Sequence, residues 1–130
     1  MEYVVDASVL VAVLMNEPEK RGIVELTEGS DLVAPGCVPW EIGNALSAML
    51  RRDRISVAVA RSLFEAFQGI PLRYVSVEFA NVLQLCGDHG LYAYDAYYLD
   101  CAQRHYIALL SLDKRLRQVA VELGIPTPEI

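Results

Sequence analysis

Four acidic side chains stand where the surrounding sequence predicts a helix start or a buried position, and each comes from a different segment of the chain. They are Asp6, Glu41, Asp95 and Asp113. Burying several carboxylates together is costly unless they are protonated, paired with cations or bound to a metal. Lysine, a common partner, occurs only at positions 20 and 114. The pattern therefore favours a metal site.

The donor set predicts the metal and its chemistry. Carboxylate oxygens without histidine or cysteine ligands suit a hard cation, Mg²⁺ or Mn²⁺, rather than zinc. Such an ion activates water for in-line attack on a phosphodiester and neutralises the charge that develops on the phosphate. The prediction is hydrolysis of a phosphodiester by metal-activated water.

Three of the four acids also have an ordinary explanation when each is taken alone. Asp6 follows a strand directly and suits a helix N-cap. Glu41 lies near a helix start, where an acid complements the helix dipole. Asp113 suits the cap of the last helix, with Ser111 as a competing cap. Only the four acids together, from four separate segments, favour a metal site.

Asp95 and Asp100 lie on the same predicted helix but receive different interpretations. Asp95 shares a face with Leu99 and Ala102, so an anionic group stands where the helical period favours an apolar one. Asp100 falls on another face, and we expect it to be solvated or peripheral.

Strands and helices are expected to alternate along the chain. The predicted strands are Tyr3 to Val5, Leu32 to Ala34, Leu72 to Val77 and Ile107 to Leu110. The predicted helices run from Ser8 to about Asn16, from Pro18 to Gly29, from Pro39 to Arg52, from Ser56 to Gly69, from Phe79 to Cys86, from Asp95 to Tyr106, and through Leu116 to Gly124. In the second helix, Ile23, Val24 and Leu26 are assigned to the buried side.

This alternation predicts an α/β fold, a three-layer sandwich with a mainly parallel central sheet, and one domain over residues 1–130. In such sheets, sites form beyond the carboxyl ends of the strands. Asp6 and Asp113 each follow a predicted strand, so both are expected there.

Bulk composition fits this fold and limits the function. The chain has 130 residues and 54% hydrophobic residues, which is enough for one core. The apolar run from Val9 to Met15 is too short to span a membrane, and the N-terminus lacks secretory-signal features, so a cytoplasmic location is expected. Three unclustered cysteines are expected to be reduced and structural.

The formal net charge of −6 disfavours a classical nucleic-acid binder, since a polyanion would be repelled. It does not disfavour a metal nuclease, because the bound ion inverts the local charge.

Four ordered motifs resemble the PIN-domain ribonucleases and, within them, the toxins of bacterial and archaeal VapBC toxin-antitoxin modules. They are VDASVL, PWEIGNAL, YAYDAYYLDCAQRH and LLSLDKRL, and they extend over nearly the whole chain. The resemblance implies that Asp6, Glu41, Asp95 and Asp113 are the catalytic, metal-binding acids. It also implies supporting polar roles for Ser8, Asn44 and Ser111. Asp100 stands where similar sequences more often have a small or apolar residue.

The resemblance further implies an endoribonuclease that acts as the toxin of a toxin-antitoxin pair, with an RNA substrate, a cognate antitoxin and a homodimeric assembly. Four tyrosines near Asp95 suit a helix or dimer core better than base stacking; they are Tyr92, Tyr94, Tyr97 and Tyr98. Basic residues that either contact phosphates or are simply solvated are Arg51, Arg52, Arg54, Lys114, Arg115 and Arg117.

Other function classes fit less well. A phosphoacceptor receiver domain needs a lysine just after a late strand, whereas Lys114 follows Asp113 into a helix. A phosphohydrolase of the DxD type is disfavoured because Ser8 replaces the second acid. A catalytically inactive PIN-like module that binds RNA or protein remains the alternative, because activity depends on a placement that residue identity does not give.

Overall fold

A computed structural model describes residues 1–130 and contains one four-stranded sheet, in the order β3-β2-β1-β4. The strands are β1 (Glu2–Val5), β2 (Asp31–Pro35), β3 (Leu72–Val75) and β4 (Ala108–Leu110). All three neighbouring pairs are parallel. Parallel strands covered on both faces carry apolar runs rather than an alternating pattern, as the wholly buried β4 does.

Seven helices cover the sheet: α1 (Ala7–Leu14), α2 (Lys20–Thr27), α3 (Val38–Arg51), α4 (Val57–Gln68), α5 (Phe79–His89), α6 (Ala93–His105) and α7 (Lys114–Glu122). Helix α1 contacts α2, α3 and α4, whereas α5 packs on α6, which contacts β1, β2 and β4. Right-handed crossovers that run in opposite directions place these two groups on opposite faces. The predicted three-layer α/β sandwich is therefore confirmed. None of the helices is long and apolar enough to cross a membrane.

The strand order creates a switch point between β1 and β4. The chain proceeds from β1 to β2 and β3 in one direction, and then returns to place β4 on the other side of β1. Val5 and Leu110, the last residues of β1 and β4, are paired across this junction. Crevices beyond such junctions are the usual ligand sites of open α/β sheets.

Several local predictions need correction. Val24 is 49% exposed rather than buried, and only Ile23 of α2 is fully buried. Strand β3 ends at Val75 instead of Val77. Helix α5 continues past Gly87 to His89, and Gly90 ends it in the left-handed conformation with φ of 65°. Gly90 suits that cap because glycine adopts positive φ without a steric cost.

The expectation that Asp100 is solvated is wrong. Its side chain is fully buried and accepts hydrogen bonds from the Glu78 backbone N–H (3.1 Å), the Asn81 amide (2.9 Å) and Arg104 Nε (2.9 Å). Arg104 also donates to the Ser76 carbonyl oxygen at 2.8 Å. Asp100 and Arg104 therefore bind α6 to the segment that joins β3 to α5.

Candidate metal centre

Asp6 begins the site because it follows β1 directly and caps α1. Its Oδ1 accepts from the Val9 backbone N–H at 3.1 Å and from the Ser8 hydroxyl at 2.6 Å, while its Oδ2 accepts from the Ser111 hydroxyl at 2.6 Å. The ordinary capping role is therefore present. Only 4% of the residue is exposed, and this burial raises its pKa even though the three hydrogen bonds lower it.

Ser8 and Ser111 fix Asp6 to the chain that leaves β4. The Ser8 hydroxyl accepts from the Leu112 backbone N–H at 2.9 Å, and the Ser111 hydroxyl accepts from the Asp113 backbone N–H at 3.0 Å. Each hydroxyl thus donates to Asp6 and accepts from the β4–α7 connection. These two bridges set the position of Asp113 relative to Asp6.

Glu41 lies in the first turn of α3, after β2, and is held by two buried donors. Its Oε2 accepts from the Tyr98 hydroxyl and, at 3.1 Å, from the Cys37 thiol. Burial raises the pKa of Glu41, these two hydrogen bonds lower it, and the charges of Asp6 and Asp95 raise it. Burial beside Glu41 raises the pKa of the Cys37 thiol and of the Tyr98 hydroxyl, so both remain protonated donors.

Asp95 and Asp113 complete the cluster. Asp95 lies in the first turn of α6, where burial and the charge of Asp113 raise its pKa and Arg115 lowers it. Asp113 is exposed, and its Oδ1 caps α7 by accepting from the Leu116 backbone N–H at 3.1 Å. Mutual charge effects thus connect all four acids into one group.

Two of the predicted site features differ from expectation. Asn44 is exposed, and its side chain makes no hydrogen bond to any of the four acids, so nothing in the structure links it to them. Cys37 was expected to be a simple buried hydrophobe, yet it donates to Glu41. Its position four residues before Glu41 is the sequence signal for that contact, since side chains at this spacing share a helix face.

Tyr98 is the functional candidate that sequence reasoning placed in a helix or dimer core. It is 2% exposed, as a core residue would be, but its hydroxyl is directed at Glu41. Its spacing of three residues from Asp95 puts both on neighbouring positions of α6. The long-range partner was not readable, because Glu41 is 57 residues away in sequence.

The four acids fit a hard divalent cation by donor chemistry rather than by a preformed cage. No three Asp, Glu, His or Cys side chains are arranged closely enough to hold one ion directly. Mg²⁺ keeps several water ligands and takes only a few carboxylates itself, so more widely spaced acids suit it. The raised pKa values of Asp6, Glu41 and Asp95 also fit, because a nearby cation would favour their ionised forms.

The PIN domain family model matches residues 3–122 of the sequence. The chain belongs to the PIN domain family. The resemblance drawn from the four sequence motifs is thereby confirmed at the level of the family. Comparison with curated proteins finds no match.

Several solved structures share the fold of this chain. PAE2754 from Pyrobaculum aerophilum has a TM-score of 0.70 and 24% identity, covering 95% of this chain and 90% of its own. VapBC2 from Rickettsia felis, bound to a promoter DNA fragment, has a TM-score of 0.68 and 12% identity, covering 98% of each chain. VapC20 from Mycobacterium tuberculosis, described as a sarcin-ricin loop cleaving toxin, has a TM-score of 0.63 and 13% identity, covering 90% of this chain and 94% of its own.

The metal-free PIN domain should become more stable on mild acidification. The pKa values of Asp6 and Glu41 are raised in the fold, so the folded state binds more protons than the unfolded chain between the ordinary and the raised values. Stability is therefore lost as pH rises through the raised values. In EDTA, Asp6→Asn should have a larger free energy of unfolding than the wild type at about pH 7. Urea unfolding should show this difference shrinking as the pH falls to about 4.5. An advantage that is independent of pH would contradict the raised pKa of Asp6.

Proposed function

We propose that this chain is a divalent-metal-dependent endoribonuclease that cleaves RNA phosphodiester bonds by metal-activated water and acts as the toxin of a toxin-antitoxin pair. The observation that carries the proposal is the group of four mutually coupled acids at the carboxyl edge of the sheet, in a PIN domain. The proposal treats residues 1–130 as one domain that works in the cytoplasm.

Mg²⁺ or Mn²⁺, bound among Asp6, Glu41, Asp95 and Asp113 partly through its own water ligands, would supply a water of lowered pKa and stabilise negative charge on the phosphate. The serine bridges keep both oxygens of Asp6 engaged, so the carboxylate cannot rotate freely. Tyr98 and Cys37 direct both their protons at Glu41 Oε2, which leaves Oε1 as the oxygen available to bind or orient. Fixed donors of this kind reduce the reorganisation needed at the moment of reaction.

The antitoxin partner, the homodimer and the RNA substrate are proposed from related proteins. Solved neighbours include VapBC2 from Rickettsia felis and a toxin-antitoxin complex from Klebsiella pneumoniae, which supports an antitoxin partner here. A dimeric assembly and an RNA substrate are proposed on the resemblance to the VapC toxins. A catalytically inactive PIN-like module that binds RNA or protein is the second candidate, and the exposed, unlinked Asn44 is the observation that favours it.

Product chemistry tests the proposed reaction. Attack by water on phosphorus leaves a linear phosphate on one product and a free hydroxyl on the other, and it does not use the RNA 2′-hydroxyl. We expect RNA with a 2′-O-methyl group at each cleaved position to be cut, with no 2′,3′-cyclic phosphate. Cyclic products, or complete protection by 2′-O-methylation, would contradict attack by water. If no RNA were cut with added Mg²⁺ or Mn²⁺, the result would favour the inactive binding module.

Tyr98→Phe should slow cleavage and move its pH dependence. The hydroxyl lowers the pKa of Glu41, so its removal raises that pKa further and shifts the rising limb of the pH-rate profile to higher pH. We expect about a tenfold lower rate at neutral pH, in the range seen when groups that orient metal ligands are removed. Tyr74→Phe, which removes a hydroxyl from an exposed strand residue, is the matched control. A lower rate with an unshifted profile would show that Tyr98 only supports the fold.

A further inference from the structure

A cavity of about 380 Å³ opens at the carboxyl ends of β2 and β3, and its wall residue Cys37 contacts Glu41. Its walls include Cys37, Trp40, Ser76, Phe79, Tyr94 and Tyr97. We propose that this aromatic cavity binds one unpaired nucleobase of the RNA substrate. The inference rests on the proposed nuclease function and adds to it a site for recognition of a single base next to the bond that is cut.

The cavity adjoins the candidate metal centre at Cys37. Cys37 forms part of its wall and also donates its thiol proton to Glu41. Trp40 directly precedes Glu41 in α3, and Tyr94 directly precedes Asp95 in α6. A base held in the cavity would therefore place its own sugar and phosphate close to the acids.

The exposed aromatic rings are the part of the cavity that suits a base. Trp40 is 73% exposed, Phe79 60% and Tyr94 52%, which is unusual for three large apolar side chains in one place. Tyr97 holds two of them by edge-to-face contacts, with ring centroids 5.9 Å from Phe79 and 5.8 Å from Tyr94. Aromatic faces that are held in position while solvent-exposed are what single-stranded nucleic acids stack on.

Charge favours a base over the phosphate part of the nucleotide. None of the residues that line the cavity is charged, and the carboxylate of Glu41, which contacts the wall residue Cys37, repels anions. A neutral, planar group can enter without this repulsion. Ser76 lines the cavity, and a serine hydroxyl can both donate to and accept from a base edge.

The wall of the cavity is fixed before any ligand binds. The segment from Ser76 to Glu78 is bound to α6 through Arg104 and the fully buried Asp100. Preorganisation of this kind lowers the entropic cost of binding a small group. The ion pair between Asp100 and Arg104 thus positions one side of the cavity.

Trp40 is the only tryptophan in the chain, so fluorescence excited selectively at tryptophan rather than tyrosine reports on the cavity. The protein, in EDTA to prevent cleavage, is titrated with single-stranded RNA tetranucleotides of each base and with an abasic tetranucleotide carrying the same phosphates. We expect saturable quenching by at least one of the four sequences and none by the abasic strand. Phe79→Ala and Tyr94→Ala should each weaken that affinity about tenfold.

Tyr106→Asn is the matched control, because Tyr106 is 96% exposed at the far end of α6 and its φ of 57° suits asparagine. It should leave the affinity unchanged. The proposal would be overturned if the abasic strand quenched equally, or if none of the four sequences quenched. It would also be overturned if Trp40 emission shifted with protein concentration alone, because a second copy of the chain would then occupy the cavity. Since the titration requires neither metal nor cleavage, its failure is distinguishable from failure of the nuclease proposal.

Discussion

Asp6→Asn is expected to reduce metal-dependent RNA cleavage by at least about a hundredfold while the protein remains folded, since even groups that only orient metal ligands change activity by tens of fold. Asparagine keeps an oxygen that can cap α1 and accept from the Val9 backbone N–H. It removes the negative charge that a divalent cation requires. Cleavage of a defined RNA in Mg²⁺, followed over time, measures the loss.

The same substitution should raise the stability of the metal-free protein at neutral pH. Burial raises the pKa of Asp6, which means that its ionised form is disfavoured by the fold, and the charge of Asp113 adds to this. Asp31→Asn is the matched control, because Asp31 is exposed at the start of β2. Asp31→Asn should alter neither cleavage nor stability. Full cleavage by Asp6→Asn would remove Asp6 from the proposed centre.

Asp100→Ala should destabilise the protein by about 1–3 kcal/mol, the usual cost of leaving a buried hydrogen-bond donor without its acceptor. The side chain is fully buried, and its loss leaves the Glu78 N–H without an acceptor. Asn81 and Arg104 each lose one acceptor and keep another, Gln103 Oε1 and the Ser76 carbonyl oxygen respectively. Urea unfolding at neutral pH measures the change in the free energy of unfolding. Arg104→Met should also destabilise the protein, because it leaves the fully buried Asp100 carboxylate without its cation.

Asp31→Ala serves as the control for Asp100→Ala, since it removes an exposed carboxylate of the same size. A loss for Asp100→Ala no larger than that of Asp31→Ala would mean that the three donors find other partners, with water entering the site. That result would also weaken the argument that this network fixes the wall of the aromatic cavity.

The fold and the position of two acids were predictable because both depend on local signals. Alternating short apolar runs and helical periods give the order of elements, and parallel strands must share one carboxyl edge. Asp6 and Asp113 lie close to the ends of adjacent strands, so the sequence places both at that edge. Glu41 and Asp95 were predictable as acids on otherwise apolar faces, at the first turns of α3 and α6.

The features that sequence analysis missed depend on partners far away in the chain. Asp100 was expected in solvent because the helical period of α6 does not show that α5 and its preceding loop cover that face; its partners lie 19 and 22 residues away. The Tyr98 contact with Glu41 joins two helices on the basis of tertiary packing. Val24 is apolar and was assigned to the buried side of α2, yet it faces outward. Successive side chains of a helix differ in direction by about 100°, so Val24 leaves the face on which Ile23 is buried.

The most direct test of the central claim is incubation of the purified wild type and Asp95→Asn with total cellular RNA in Mg²⁺, in Mn²⁺ and in EDTA. Asp95 is chosen because it makes no hydrogen bond that fixes the fold and its pKa is raised by burial and by Asp113. We predict cleavage by the wild type with either ion, none in EDTA, and none by Asp95→Asn under any condition. Equal cleavage by the two proteins, or cleavage that persists in EDTA, would contradict a metal-dependent nuclease built on these four acids.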